Sequence, residues 1–165
     1  MQTKGETLAA IIKKLYMKNI LFVLLIFCLN CVNGQTKWKT FDSEYGITIE
    51  LPEYFSKGIL VAGGTLQWFN NTIDDDIQLS IESFGNGTIK DLNESYKSDL
   101  KNEKNVTYKA KKNTWYVISG KNENGIFYNK SIIKNGIQFH LRIIYQEKNK
   151  KLVENLIGRI STSFK

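Results

Sequence analysis

The residues able to do chemistry in this chain are few and scattered. Its single histidine, His140, lies in the run Ile137-Gln-Phe-His-Leu-Arg-Ile-Ile-Tyr145. A general base needs an orienting partner and a substrate within reach. Arg142, next but one, is not such a partner, so a structural histidine is the plainer reading. With one histidine and two cysteines, Cys28 and Cys31, both near the start, a zinc site would have to draw on carboxylates, an uncommon donor set. Asp74-Asp75-Asp76 offers the oxygens a hard cation prefers, but it lacks the interleaved glycine and distant glutamate of the calcium-loop pattern. It reads as a solvated turn between Phe69 and Ile77. Gly85-Asn-Gly-Thr88 has neither the lysine of a phosphate-binding loop nor the third glycine of a dinucleotide fingerprint, and it reads as a strand-to-helix turn. Trp38, Trp68 and Trp115 are large enough to stack on sugars or bases, yet each lies in or beside a strand-like run where core packing is expected. The triplets Asn70-Asn-Thr72 and Asn86-Gly-Thr88 accept glycans only in a eukaryotic secretory route, whereas the Asn/Lys/Ile-heavy composition looks bacterial. No catalytic, cofactor-binding or metal-binding residue set is therefore expected, and no cofactor.

The clearest signal is one of address. From Met17 the chain reads Met-Lys-Asn, a ten-residue apolar run from Ile20 to Leu29, and then Asn30-Cys-Val-Asn-Gly34. A basic start, an apolar centre and small residues at minus three and minus one, here Val32 and Gly34, are the three parts of a secretory signal. The apolar run is half of the roughly 20 residues that a membrane-spanning helix requires. The expectation is a leader over residues 1–34 with its functional start at Met17, cleavage after Gly34, and one domain over residues 35–165. Cleavage removes both thiols. It also removes four lysines (Lys4, Lys13, Lys14, Lys18) against one glutamate, Glu6, so the formal charge of +7 falls by three. The remaining lysines are mixed with acids, and no basic stripe marks a nucleic-acid track. A secreted or periplasmic product follows. The alternative is a membrane-anchored lipoprotein with Cys28 or Cys31 lipidated, although Phe27 and Asn30 fit poorly as the residues preceding a lipidated cysteine.

What positions these residues is a sheet. Alternating apolar residues predict strands at Gly46–Leu51, Thr65–Asn70, Ile77–Phe84, Val106–Ala110, Trp115–Gly120, Gly125–Ile133 and Ile137–Tyr145. In the last of these, Ile137, Phe139, Leu141, Ile143 and Tyr145 share a core face, with His140 opposite. Short Asn/Gly breaks join the final four strands into an antiparallel meander, Asn135-Gly136 being the sharpest turn. Two helices are expected. One runs from a Thr88-Ile-Lys-Asp91 cap through Ile89, Leu92, Tyr96 and Leu100. The other carries Leu152, Leu156, Ile160 and Phe164, with Val153 and Ile157 widening its stripe. The fold class is α+β, an antiparallel sheet of six or seven strands with helices packed on it.

This order of elements resembles the PsbP-like fold, an α/β/α sandwich. The resemblance rests on Tyr45-Gly46 with Ile49 and Pro52, on Val106-Thr-Tyr108, Trp115–Gly120 and Gly125–Lys130, and on the closing Ile160-Ser-Thr-Ser-Phe164. One departure is Tyr145-Gln146, where similar bacterial sequences carry Tyr-Pro. The resemblance implies a non-enzymatic accessory or binding module that docks to a larger partner, here another protein of the bacterial envelope. The competing readings are a secreted hydrolase whose Asp and Glu residues meet only in space, and an immunity protein that caps a toxin.

Overall fold

The computed structural model describes residues 36–43, 46–85 and 87–165, and Lys13 besides. The leader expected at residues 1–34, with Cys28 and Cys31, lies outside the described residues apart from Lys13, as do Tyr45 and Asn86. Lys37–Lys165 form one compact unit.

Seven strands make one antiparallel sheet, β3 (Phe55–Val61), β4 (Leu66–Asn71), β5 (Ile77–Phe84), β6 (Val106–Lys111), β7 (Trp115–Asn122), β8 (Gly125–Lys134) and β9 (Ile137–Tyr145), in the order β3-β4-β5-β9-β8-β7-β6. The strand with the clearest alternation, β9, is thus the central one, as a strand covered on both faces must be apolar on one row and well satisfied on the other. Phe139, Leu141, Ile143 and Tyr145 are all at most 3% exposed, each contributing about 1.5–3 kcal/mol of burial. Strands β6 to β9 form the expected meander. Its Asn135-Gly136 turn has positive φ at both residues, 52° and 72°, the geometry a two-residue hairpin requires.

The sheet's membership differs from the sequence expectation. The segment expected at Gly46–Leu51 is β2 (Thr48–Pro52), which leaves the main sheet to pair with β1 (Trp38–Asp42) in a separate hairpin. Its place in the count is taken by β3, whose Phe-Ser-Lys-Gly-Ile-Leu-Val run breaks alternation at an irregularity between Lys57 and Leu60. A bulge of this kind hides a strand from a period-two reading.

Helix α1 (Ile89–Asn102) and helix α2 (Lys150–Ser163) cover opposite faces. Helix α1 starts at Thr88, whose side chain and that of Asp91 cap each other's backbone N–H groups. Leu92 is its one fully buried residue, set over Tyr116, Ile118 and Phe127. Helix α2 buries Val153, Leu156 and Ile160, with Phe164 just after it, into the larger core shared with the β1–β2 hairpin. Leu152, expected on that stripe, is 37% exposed, because Val153 takes the inward position one residue on. The far end of α2 is tied down by Lys130, whose Nζ donates to the carbonyls of Ser161 and Phe164. A cation there complements the negative end of the helix. Gln146, at the departure from Tyr-Pro, donates from Nε2 to the Asn124 carbonyl at 3.0 Å, a bond that proline cannot make. Among the described residues no helix is long and apolar enough to cross a membrane.

Candidate functional site

Strand register decides which polar groups meet. The Asn135-Gly136 hairpin sets Ser131 opposite His140, and the neighbouring pairings add Tyr116 beside Ser131 and Glu82 beside His140. One row of the sheet therefore reads Tyr116, Ser131, His140, Glu82 on the α1 side. The Ser131 hydroxyl and His140 Nδ1 are hydrogen-bonded at 2.7 Å, and the Tyr116 hydroxyl donates to Asp99 of α1 at 2.6 Å. The next row pairs Ile118, Asn129, Arg142 and Ser80. Here Arg142 reaches Glu103, just past the end of α1, at 2.9 Å. Glu103 also accepts from Asn122 Nδ2 at 2.7 Å and Asn129 Nδ2 at 3.5 Å. Asn129 is only 1% exposed and its Oδ1 has no partner.

This arrangement supplies the orienting partner that His140 lacks in sequence, but it is enclosed. Ser131 is fully buried, and Asp99 and Glu103 are already held by Tyr116 and Arg142. Burial keeps the His140 imidazole below the usual histidine range; Asp99 and Glu103 oppose that shift, and Arg142 adds to it. Burial likewise raises the Glu82 carboxyl and, with Asp99 accepting its proton, raises Tyr116 far above a free phenol. What the cluster does chemically is lock α1 onto the sheet through neutral and paired groups.

The sign of the resulting pH dependence follows. An unfolded chain takes up the His140 proton at about pH 6.5, whereas the folded protein accepts it only at lower pH. Stability is thus fully present above that value and lost as pH falls through the depressed folded-state value. The slope approaches about 1.4 kcal/mol per pH unit for one proton. Urea midpoints measured from pH 7 to pH 5 are expected to fall in the native protein and to fall less in His140→Gln. An unchanged slope in the variant would assign the dependence to another group.

The other residues singled out in the sequence separate into occupied and open sites. Asp74 and Asp76 receive Lys148 Nζ at 3.2 and 2.6 Å, and Asp74 also accepts from the Asp76 N–H and from Asn149. These hydrogen bonds, the Asp76 N–H foremost, hold the Asp74 carboxyl below its ordinary value. A lysine ammonium thus stands where a cation would. Among the described residues no group of three or more His, Cys, Asp or Glu side chains is placed to hold a metal. At Gly85–Thr88 the helix end is satisfied by Asp91, and the glycine at 87 is needed because a Cβ would fall 2.5 Å from the Ile137 carbonyl carbon.

Two of the tryptophans pack as expected. Trp38 lies against the core with the Arg159 guanidinium 4.4 Å from its ring, and Trp115 is half-buried with Lys112 over it. Trp68 departs from expectation. It is 39% exposed and belongs to neither core cluster, because α1 packs over β7 and β8 and leaves β3, β4 and β5 uncovered on that side. An open groove there is lined by Trp68 with Ile59, Asn70, Asp75 and Gln78. On the other side of the same strands, the β1–β2 hairpin bounds a cleft lined by Phe41, Ile49, Leu60 and Phe69, among others. No local signal in the sequence separates Trp68 from Trp38 and Trp115, because its exposure is set by where α1 stops on the sheet.

A seven-stranded antiparallel sheet with one helix on each face and an added hairpin defines the molecule as a PsbP-like α+β sandwich. Structural comparison bears this out: the chain is similar to cyanobacterial PsbP (CyanoP) from Synechocystis sp. PCC 6803, in its solution structure, with a TM-score of 0.57 at 14% identity, covering 81% of this chain and 95% of that one. At that identity the likeness establishes the fold. No protein-family profile and no curated protein sequence matches the chain.

Proposed function

We propose that this protein is an exported, non-enzymatic accessory protein of the bacterial envelope that works by holding another envelope protein. The observation that carries this reading is the clustering of exposed apolar side chains. Ile59, Leu60, Trp68 and Phe84, between 39% and 68% exposed, lie on the three adjacent strands β3, β4 and β5, with Ile59 and Trp68 on the side that α1 leaves open and Leu60 on the other, beside the hairpin cleft. Such a concentration on one half of a sheet is the mark of a contact surface. The opposite edge strand, β6, exposes one large apolar side chain, Tyr108, followed by Lys109 and Lys111, the charged protection that keeps a free edge unpaired. Support for export comes from the three-part leader pattern beginning at Met17.

The test uses the full chain in a bacterial host, with a photo-crosslinking residue at Leu60 in one strain and at Lys109 in another. A shortened product in the envelope fraction, with a discrete protein adduct from Leu60 and none from Lys109, is expected. A full-length cytoplasmic product, or equal adducts from both positions, would overturn the reading.

A further inference from the structure

The groove beside Trp68 has a chemistry of its own that goes beyond protein docking. We propose that it is a binding site for a neutral glycan, a run of hexopyranose units laid across β4 and β5. An aromatic ring half exposed on a flat sheet offers a face against which the apolar C–H side of a sugar ring stacks. Around it stand Asn70, Gln78 and Asp75. The two carboxamides each carry donors and acceptors, and the carboxylate accepts only, a set matched to adjacent sugar hydroxyls. Among the described residues none of these three side chains hydrogen-bonds to another part of the protein, whereas the nearby Asn71 and Asp74 are engaged in their own turn.

The charge of the groove selects among ligands that stack on tryptophan. No lysine or arginine lines it, and Asp75 does. A nucleic-acid strand would bring phosphates against a carboxylate with no cation to offset them, the reverse of the basic tracks that bind single strands. An anionic headgroup meets the same repulsion. A neutral ligand rich in hydroxyls does not. The site is also held in place: Trp68 is paired with Ser80, which is itself buried. Beside it the Asn70 carboxamide lies over the backbone of Gly58, where a Cβ would come within 2.7 Å of Asn70 Oδ1. The absence of a side chain at Gly58 leaves room for the Asn70 carboxamide where it lies, and a platform built on paired strands loses little entropy on binding.

The experiment is a titration of the ¹⁵N-labelled full chain with cellohexaose and with chitohexaose, following the tryptophan indole and side-chain amide resonances. The expected result is a saturable shift at the Trp68 indole and at the Asn70 and Gln78 amides with at least one of the two sugars, with Trp38 and Trp115 unmoved. Trp68→Ala is expected to weaken binding by about tenfold or more, and Gln78→Ala to weaken it less. The proposal is overturned if neither sugar shifts the Trp68 resonance saturably, if the shifts centre on Trp38 or Trp115, or if an oligothymidylate binds more tightly than either sugar. The native-protein spectra decide this without reliance on a variant's folding, and independently of export or of any protein adduct at Leu60.

Discussion

Replacing Glu103 by alanine is expected to destabilise the protein by about 1.5–3 kcal/mol, less than the loss of a partner from a fully buried ion pair because Arg142 keeps part of its hydration. Glu103 sits just past the last turn of α1, where its charge faces the negative end of the helix and is unfavourable by itself. It is tolerated because Arg142 lies 2.9 Å away and because Asn122 and Asn129 both donate to it. The Glu103 side chain is 10% exposed and that of Arg142 35%, so the carboxylate is largely desolvated while the guanidinium keeps part of its hydration. Without the carboxylate, Arg142 keeps its charge with no counter-ion, and Asn129, already carrying one unpartnered oxygen, loses an acceptor as well. Thermal unfolding is expected to shift down by about 5–10 °C. Glu103→Gln keeps an acceptor for the asparagines and is expected to cost less, about 0.5–1.5 kcal/mol. The double variant with Arg142→Met should cost less than the sum of the singles, since it no longer leaves a charge stranded. A Glu103→Ala variant with native stability would show that α1 is held without the Arg142 pair, by Leu92 with its apolar neighbours and by the Tyr116–Asp99 bond.

Gly125→Ala is the second large effect. Strands β7 and β8 are joined by the two-residue loop Glu123-Asn124, closed by the pair Asn122 and Gly125. Gly125 has φ of +125°, a region that residues with a Cβ rarely enter. An added Cβ would also fall 2.6 Å from the carbonyl oxygen of Tyr145, at the end of the central strand. That neighbour is backbone in the middle of the sheet and has little freedom to move. Strain of about 1–3 kcal/mol and a steric conflict of about 1–3 kcal/mol act together, so a loss of about 2–6 kcal/mol is expected by denaturant titration. Gly136→Ala is the control. Its φ is positive, at 72°, but nothing lies within 4 Å of the position its Cβ would take, so only the conformational cost remains. Equal losses at the two sites would remove the steric part of the argument.

Both predictions concern contacts that join segments far apart in the chain, and this marks where sequence reading stops. The pairing of Ser131 with His140 was within reach of the sequence, because a two-residue turn at Asn135-Gly136 counts outward to it residue by residue. The partners from α1 were not. Asp99 and Glu103 are four apart and so share a helix face, but no local rule states which sheet row that face meets. The hairpin of β1 and β2 was equally out of reach, since Thr48–Pro52 alternates like its counterparts in the main sheet and only packing sends it elsewhere. Strand β3 was missed for the opposite reason, its bulge at Gly58 breaking the alternation. The exposure of Trp68 follows from the extent of α1, which covers β7 and β8 and stops short of β4.

The sequence by itself determined the class of fold, the meander of β6 to β9 and both helices, because hydrophobic period, turn chemistry and capping act between residues near one another in the chain. The tertiary structure decided which polar residues are consumed and which remain available. His140, Asp74 and Asp76 are engaged by Ser131 and Lys148, drawn from other elements, whereas Trp68, Asn70 and Gln78 face solvent. Whether a side chain is satisfied depends on the elements packed against it, and that is settled by long-range packing.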